Sequence, residues 1–74
     1  MFGRKAQDTH TDALKASHLR DERTRLKGYE ARLRAARAVA RNAIDPDPAA
    51  DRIIARRLQE NIAVTKANIR DLQR

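Results

Sequence analysis

Residues 44–48, with the sequence IDPDP, decide the fold because they divide the chain into two long helix-forming segments. Proline cannot continue a helix interior, and it pushes the residue before it out of the helical region. Asp47 followed by Pro48 is also a helix start, because aspartate caps free backbone N–H groups and proline at the first helical position has none to leave unpaired. The sequence therefore predicts a turn over 45–47 and a helix over about 48–73.

Upstream of the turn, the chain is rich in Ala, Leu, Arg, Lys and Glu, and Gly28 is its one weak helix former. We expect a first helix over about 9–44. Residues 1–8 are polar and aperiodic, which indicates a disordered tail. Because helix 1 is the longer helix, its first turns, up to about His18, should overhang helix 2 by roughly 10–15 Å.

Apolar residues recur at heptad spacing on both helices, which predicts an all-α antiparallel two-helix hairpin, a helical coiled coil, over residues 9–74. The register pairs Leu33 with Leu58. Glu22 falls within the apolar line, and we expect its side chain either to swing out toward Lys66 or Arg70 or to mark the register of the two helices. The predicted hairpin seam consists of Leu19, Leu26, Tyr29, Leu33, Ile54, Leu58, Ile62, Ile69 and Leu72.

A chain of 74 residues has a poor surface-to-volume ratio, and each helix of a lone hairpin keeps about half its circumference wet. We therefore expect association into a helical bundle, either as a homo-oligomer, with a dimer favoured, or with a protein partner. The alternative is a marginally stable monomer. Three apolar residues off the seam, close to the hairpin tip, form a candidate association patch: Val39, Ile44 and Ile53.

The chain is basic, with 17 Lys and Arg against 10 Asp and Glu, and most of the excess lies on helix 1. Arginine suits bidentate contact with phosphate, and a charged stripe along one helix face is the electrostatic footprint of a nucleic-acid binder. The alternative is a solvated helix face, since Glu22, Glu30 and Glu60 each lie one turn from an arginine. The basic stripe consists of Arg20, Arg23, Lys27, Arg34, Arg37 and Arg41.

Several classes of function lack the residues that they need. There is no cysteine, and the two histidines, His10 and His18, do not converge on one helix face, so we expect no disulfide, metal or cofactor. No glycine-rich phosphate loop or nucleophile with an orienting base is visible, so we expect neither an enzyme nor a small-molecule substrate. No secretory signal or spanning segment is recognisable, and we expect a cytoplasmic protein.

These observations predict a small non-enzymatic helical module that self-associates or docks on a protein partner. The alternative is a nucleic-acid-binding accessory protein of a phage, plasmid or nucleoid, contacting phosphates without reading sequence. A third interpretation, a helix lying on an anionic membrane surface, lacks Trp and Phe on its apolar side. The abundance of arginine and alanine is typical of a high-GC bacterium or its phages.

Overall fold

A computed structural model describes the backbone from residue 2 to residue 74 and the side chains of residues 11–74; Met1 is outside it. Two helices account for nearly all of this range: α1 (Phe2–Asn42) and α2 (Pro48–Leu72). They pack against each other as an antiparallel hairpin, which confirms the predicted all-α class. The molecule is a rod whose Cα atoms extend over 66 × 14 × 12 Å.

The first helix ends at Asn42, two residues before the predicted end near residue 44. Pro46 explains the earlier end, because in a continuing helix its ring would clash with the carbonyl group four residues back, which belongs to Asn42. The Asn42 amide group instead turns back and donates a hydrogen bond of 2.9 Å to the carbonyl oxygen of Ala38. The turn therefore occupies residues 43–47 rather than 45–47.

The second helix begins with the cap that its sequence suggests. The Asp47 carboxylate accepts a 3.2 Å hydrogen bond from the backbone N–H of Ala50, and Pro48 follows in the first turn. The N–H of Asp51 closes the first helical turn by donating to the Asp47 carbonyl oxygen at 3.0 Å. At its other end α2 stops at Leu72, one residue before the predicted end, which is within the ordinary uncertainty of a helix boundary.

At its N-terminus α1 begins at Phe2, earlier than the predicted start near residue 9. The predicted disordered tail, residues 1–8, lies outside the residues whose side chains are described and stays a prediction. With 41 residues in α1 and 25 in α2, the first helix extends beyond the second by roughly 24 Å at the usual helical rise. Leu14 lies on this overhang with 46% of its surface exposed.

The helix–helix contact follows an alternating three- and four-residue spacing on both helices, as in a coiled coil. Thr65 is the one buried residue among residues 11–74, with 4% exposure, and its hydroxyl donates to the Asn61 carbonyl oxygen at 2.7 Å. The partly buried residues at this spacing are Leu19, Glu22, Leu26, Tyr29, Leu33, Ala36 and Ala40 on α1, and Asp51, Ala55, Leu58, Ile62, Ile69 and Leu72 on α2.

Ile54 is the exception to the predicted seam, because it is 48% exposed and lies beside the helix–helix contact. Ala55 occupies the seam position instead. Ile54 lies four residues before Leu58, a spacing that fits one face of a helix. The seam of α2, however, alternates steps of three and four residues, and the step before Leu58 must be three residues, which places Ala55 in the seam. Small residues near the turn, Ala36 on α1 and Ala55 on α2, allow the two helices to approach closely there.

Glu22 remains in the seam, so the expectation that it swings out toward Lys66 or Arg70 is wrong. Its side chain is only 14% exposed and accepts a hydrogen bond of 3.0 Å from Arg25 of the same helix. Its second carboxylate oxygen accepts a 3.3 Å bond from the Asn68 side chain of α2. The partners differ from the expected ones because Asn68 flanks the seam on the side away from Lys66, and Glu22 points to that side.

Candidate interaction faces

A hairpin of two helices is one layer thick, so the residues that flank the seam form two broad faces. Two surface grooves show which residues share the first face. One is lined by Arg34 of α1 and by Gln59 and Lys66 of α2. The other, nearer the turn, is lined by Arg37 of α1 and Arg52 of α2. The flanks of both helices that carry basic residues therefore lie on the same side of the hairpin.

This side extends the predicted basic stripe onto the second helix. Heptad spacing keeps the six stripe residues of α1 on one side, and four cations of α2 follow a matching pattern. We call these ten residues the basic face. Its α2 members are Arg52, Arg56, Lys66 and Arg70. Sequence reasoning missed these four because it treated each helix separately, although their own helical spacing was a usable signal.

Few acidic groups balance the basic face. Glu30 and Asp51 line its two grooves, and both are partly buried beside the seam. Within the described part of the chain, the ion pairs are Glu22 with Arg25 at 3.0 Å and Asp71 with Arg74 at 4.0 Å, and neither involves the basic face. The pairs expected from Glu30 and Glu60 do not form, so the cations of the stripe are not neutralised by ion pairs among the described residues.

The opposite side of the hairpin, which we call the mixed face, carries aliphatic residues and nearly balanced charges. A groove on it is lined by Asp21 and Arg25 of α1 and by Asn68 and Asp71 of α2. The remaining members of this face at heptad-equivalent positions are Gly28, Arg32, Ala35 and Val39 on α1, and Ile54, Arg57, Asn61 and Val64 on α2.

The structure regroups the predicted association patch. All three residues are exposed, with 71% for Val39, 103% for Ile44 and 57% for Ile53. They do not share one face, because Ile44 lies in the turn and Ile53 points away from the seam on the outer side of α2. Val39 instead flanks the seam across from Ile54, in the same relation that Arg25 has to Asn68.

The described residues were compared with what a metal site and a membrane-spanning helix require. No group of three or more His, Cys, Asp or Glu side chains among them is placed to hold a metal ion. Neither α1 nor α2, over its described residues, is long and apolar enough to cross a membrane. Comparison with protein-family models, with curated proteins and with solved structures finds no match to this chain.

Proposed function

We propose that this chain is a small non-enzymatic assembly module of the cytoplasm, and that two copies associate through their mixed faces into a four-helix bundle. One observation carries the proposal: no apolar side chain among residues 11–74 is buried. A folded domain ordinarily buries most of its large aliphatic residues, because apolar burial is the main force that offsets lost conformational entropy. A second surface that covers these residues would supply the missing burial.

The distribution of charge favours the mixed face as the interface and a second copy of the chain as the partner. Two basic faces stacked on each other would bring many like charges together with only Glu30 and Asp51 of each copy to offset them, which is unfavourable. The mixed face carries both signs, with Asp21 and Asp71 among its arginines, so a two-fold copy can place opposite charges opposite each other. Small residues on the same face, Gly28 and Ala35, permit close helix approach.

The expected dimer is weak. The exposed fractions of Val39, Ile54 and Val64 are 71%, 48% and 60%. Since complete burial of such a side chain is worth about 1.5–3 kcal/mol, covering the exposed part of six of them in a dimer returns roughly 5–11 kcal/mol. Association itself costs about 4–15 kcal/mol. The balance favours a dimer that dissociates on dilution, so that its stability depends on protein concentration.

Two neighbouring residues of α2 provide a matched test. Val64 lies on the mixed face and Ala63 lies on the basic side, and both are exposed. Val64→Glu places a negative charge in the proposed interface, whereas Ala63→Glu places the same charge outside it. We expect the melting temperature of wild type and Ala63→Glu to rise with protein concentration, and that of Val64→Glu to be independent of concentration.

Circular dichroism at 222 nm follows the melting, and the helix content at low temperature shows whether each variant folds. If Val64→Glu and wild type depend on concentration equally, then the mixed face is not the interface. If Ala63→Glu alone removes the dependence, then the copies associate through the other side, and the charge argument is wrong.

A further inference from the structure

The basic face is a surface that neither helix forms alone. Ten cations from α1 and α2 lie on one side of the rod, and no described acid forms an ion pair with any of them. Eight of the ten are arginines, which hold a planar fork of donors suited to two oxygens of one phosphate. The arrangement is a broad cationic strip rather than a pocket, so it fits an extended polyanion better than a small anion.

The size of the strip matches a nucleic-acid duplex. Between Arg20 and Arg41 the strip is roughly 30 Å long at the helical rise, which is the length of about nine base pairs. On α1 the repeat of the cations is seven residues, or about 10 Å, which is the axial rise of about three base pairs, so the arginines reach spaced phosphates of both strands rather than successive phosphates of one backbone. The hairpin is an elongated rod, with Cα extents of 66 × 14 × 12 Å, so it can lie along a duplex and contact phosphates of both strands where each backbone passes beneath it.

Other polyanions fit less well. Proteins that bind single strands stack bases on aromatic side chains, and the sequence has one Tyr and one Phe and no Trp. Tyr29 lies in the seam, where Arg32 of the mixed face covers its ring at 5.9 Å. A membrane-surface helix needs apolar residues bordered by basic ones, but Val39, Ile54 and Val64 lie on the side away from the basic face.

From this geometry we infer that the basic face binds the phosphate backbone of a nucleic-acid duplex without reading its sequence. Phosphate contacts position a protein on a duplex and carry no sequence information, which suits a surface without base-reading groups. The inference goes beyond the proposed assembly function. It is also compatible with it, because a dimer formed through the mixed faces leaves both basic faces outward.

The test compares two pairs of charge-removing substitutions. Arg34→Gln with Lys66→Gln removes one cation per helix from a groove on the basic face. The control, Lys15→Gln with Arg74→Gln, removes two exposed cations that belong neither to the basic face nor to the mixed face. Both double variants lose the same charge. Fluorescence anisotropy measures their binding to a labelled DNA duplex and to an RNA duplex of the same sequence, each of about 20 base pairs, between about 50 and 200 mM salt.

Released counterions make log K fall linearly with log salt, with a slope proportional to the number of phosphates contacted. We expect duplex binding by wild type that weakens steeply over this range. The slope of the basic-face variant should be shallower by about 2, and that of the control variant should be unchanged. The DNA and RNA arms show which duplex is preferred, and binding to either one supports the inference.

The inference would be overturned if wild type did not bind a duplex at the lowest salt, or if both double variants lost duplex affinity equally. It would also be overturned if wild type bound the corresponding single strand, or vesicles containing phosphatidylserine, more tightly than either duplex. Sedimentation of the same variants keeps this inference separate from the dimer. If binding fails while Arg34→Gln with Lys66→Gln remains a dimer, only the duplex inference is lost.

Discussion

Replacing Glu22 by leucine should stabilise the hairpin, although it removes an ion pair and a hydrogen bond between the helices. The carboxylate occupies a seam position with a 14% exposed side chain, while its partner Arg25 is 65% exposed. An ion pair with so exposed an arginine is screened by solvent and contributes about 0–1 kcal/mol. The bond from Asn68 adds about 0.5–1.5 kcal/mol. Asn68 is exposed and can bond to water instead, so its loss carries little further penalty.

The leucine side chain at position 22 would be buried in the seam between Leu19 and Leu26, and this burial offsets the lost free energy of the ion pair and the hydrogen bond. Burying a leucine returns about 1.5–3 kcal/mol. The net expectation for Glu22→Leu is a gain of about 1 kcal/mol, which corresponds to a rise of roughly 4–8 °C in Tm for a domain of this size. Urea denaturation followed at 222 nm, at one fixed low protein concentration, measures the free energy of unfolding.

Glu60→Leu provides the control, because Glu60 is exposed on the outer side of α2. Its substitution should change the free energy of unfolding by less than about 0.5 kcal/mol. A loss of stability of about 1 kcal/mol or more in Glu22→Leu would refute the reasoning. Glu22 would then fix the register of the two helices, as a buried polar residue does in some coiled coils, rather than weaken an apolar seam.

Two further substitutions test local features of the helices by the same denaturation measurement. Gly28→Ala should stabilise the protein by about 0.5–1 kcal/mol, since an added Cβ meets no atom within 4 Å and alanine favours the helix. A loss of stability at this low protein concentration would contradict the prediction, because the space around Gly28 within the hairpin is open. Asp47→Ala should destabilise α2 by about 1 kcal/mol through loss of the cap to Ala50, whereas Asp45→Ala, in the turn, should have little effect. Equal effects would contradict the capping role of Asp47.

The hairpin could be predicted because its determinants are local and strong. Proline at 46 and 48 interrupts the helix for steric reasons that no tertiary contact overrides, and Asp47 marks the next start. The large aliphatic residues in the middle of the seam, such as Leu33 and Ile62, keep a heptad period, and the short turn selects one antiparallel register from those that this period allows. Long, strongly periodic segments of this kind make the fold class readable from the sequence.

Two features could not be predicted as well: the residues that form the seam near the turn, and the grouping of surface residues into the basic face and the mixed face. Near the turn the seam consists of alanines, so the periodicity of large apolar residues is weak there. The hydrophobic pattern therefore favours Ile54 as the seam residue, although the packing requires the smaller Ala55. The cations of α1 and α2 form one basic face because the antiparallel pairing of the helices brings the cation-bearing side of each helix to the same side of the hairpin. That property belongs to the pair of helices, so a prediction made for each helix separately could not give it.

The proposed function requires that the hairpin alone does not complete the fold, because its seam residues are only partly buried and others, such as Val39 and Val64, stay exposed until a second copy covers them. Sedimentation equilibrium of the wild-type chain tests this claim most directly, since the monomer mass is 8.4 kDa. We predict that the average mass rises with concentration toward twice the monomer value and then levels off, as expected for a closed two-fold dimer. A mass that stays at the monomer value at all concentrations, together with a sharp melting transition, would contradict the claim.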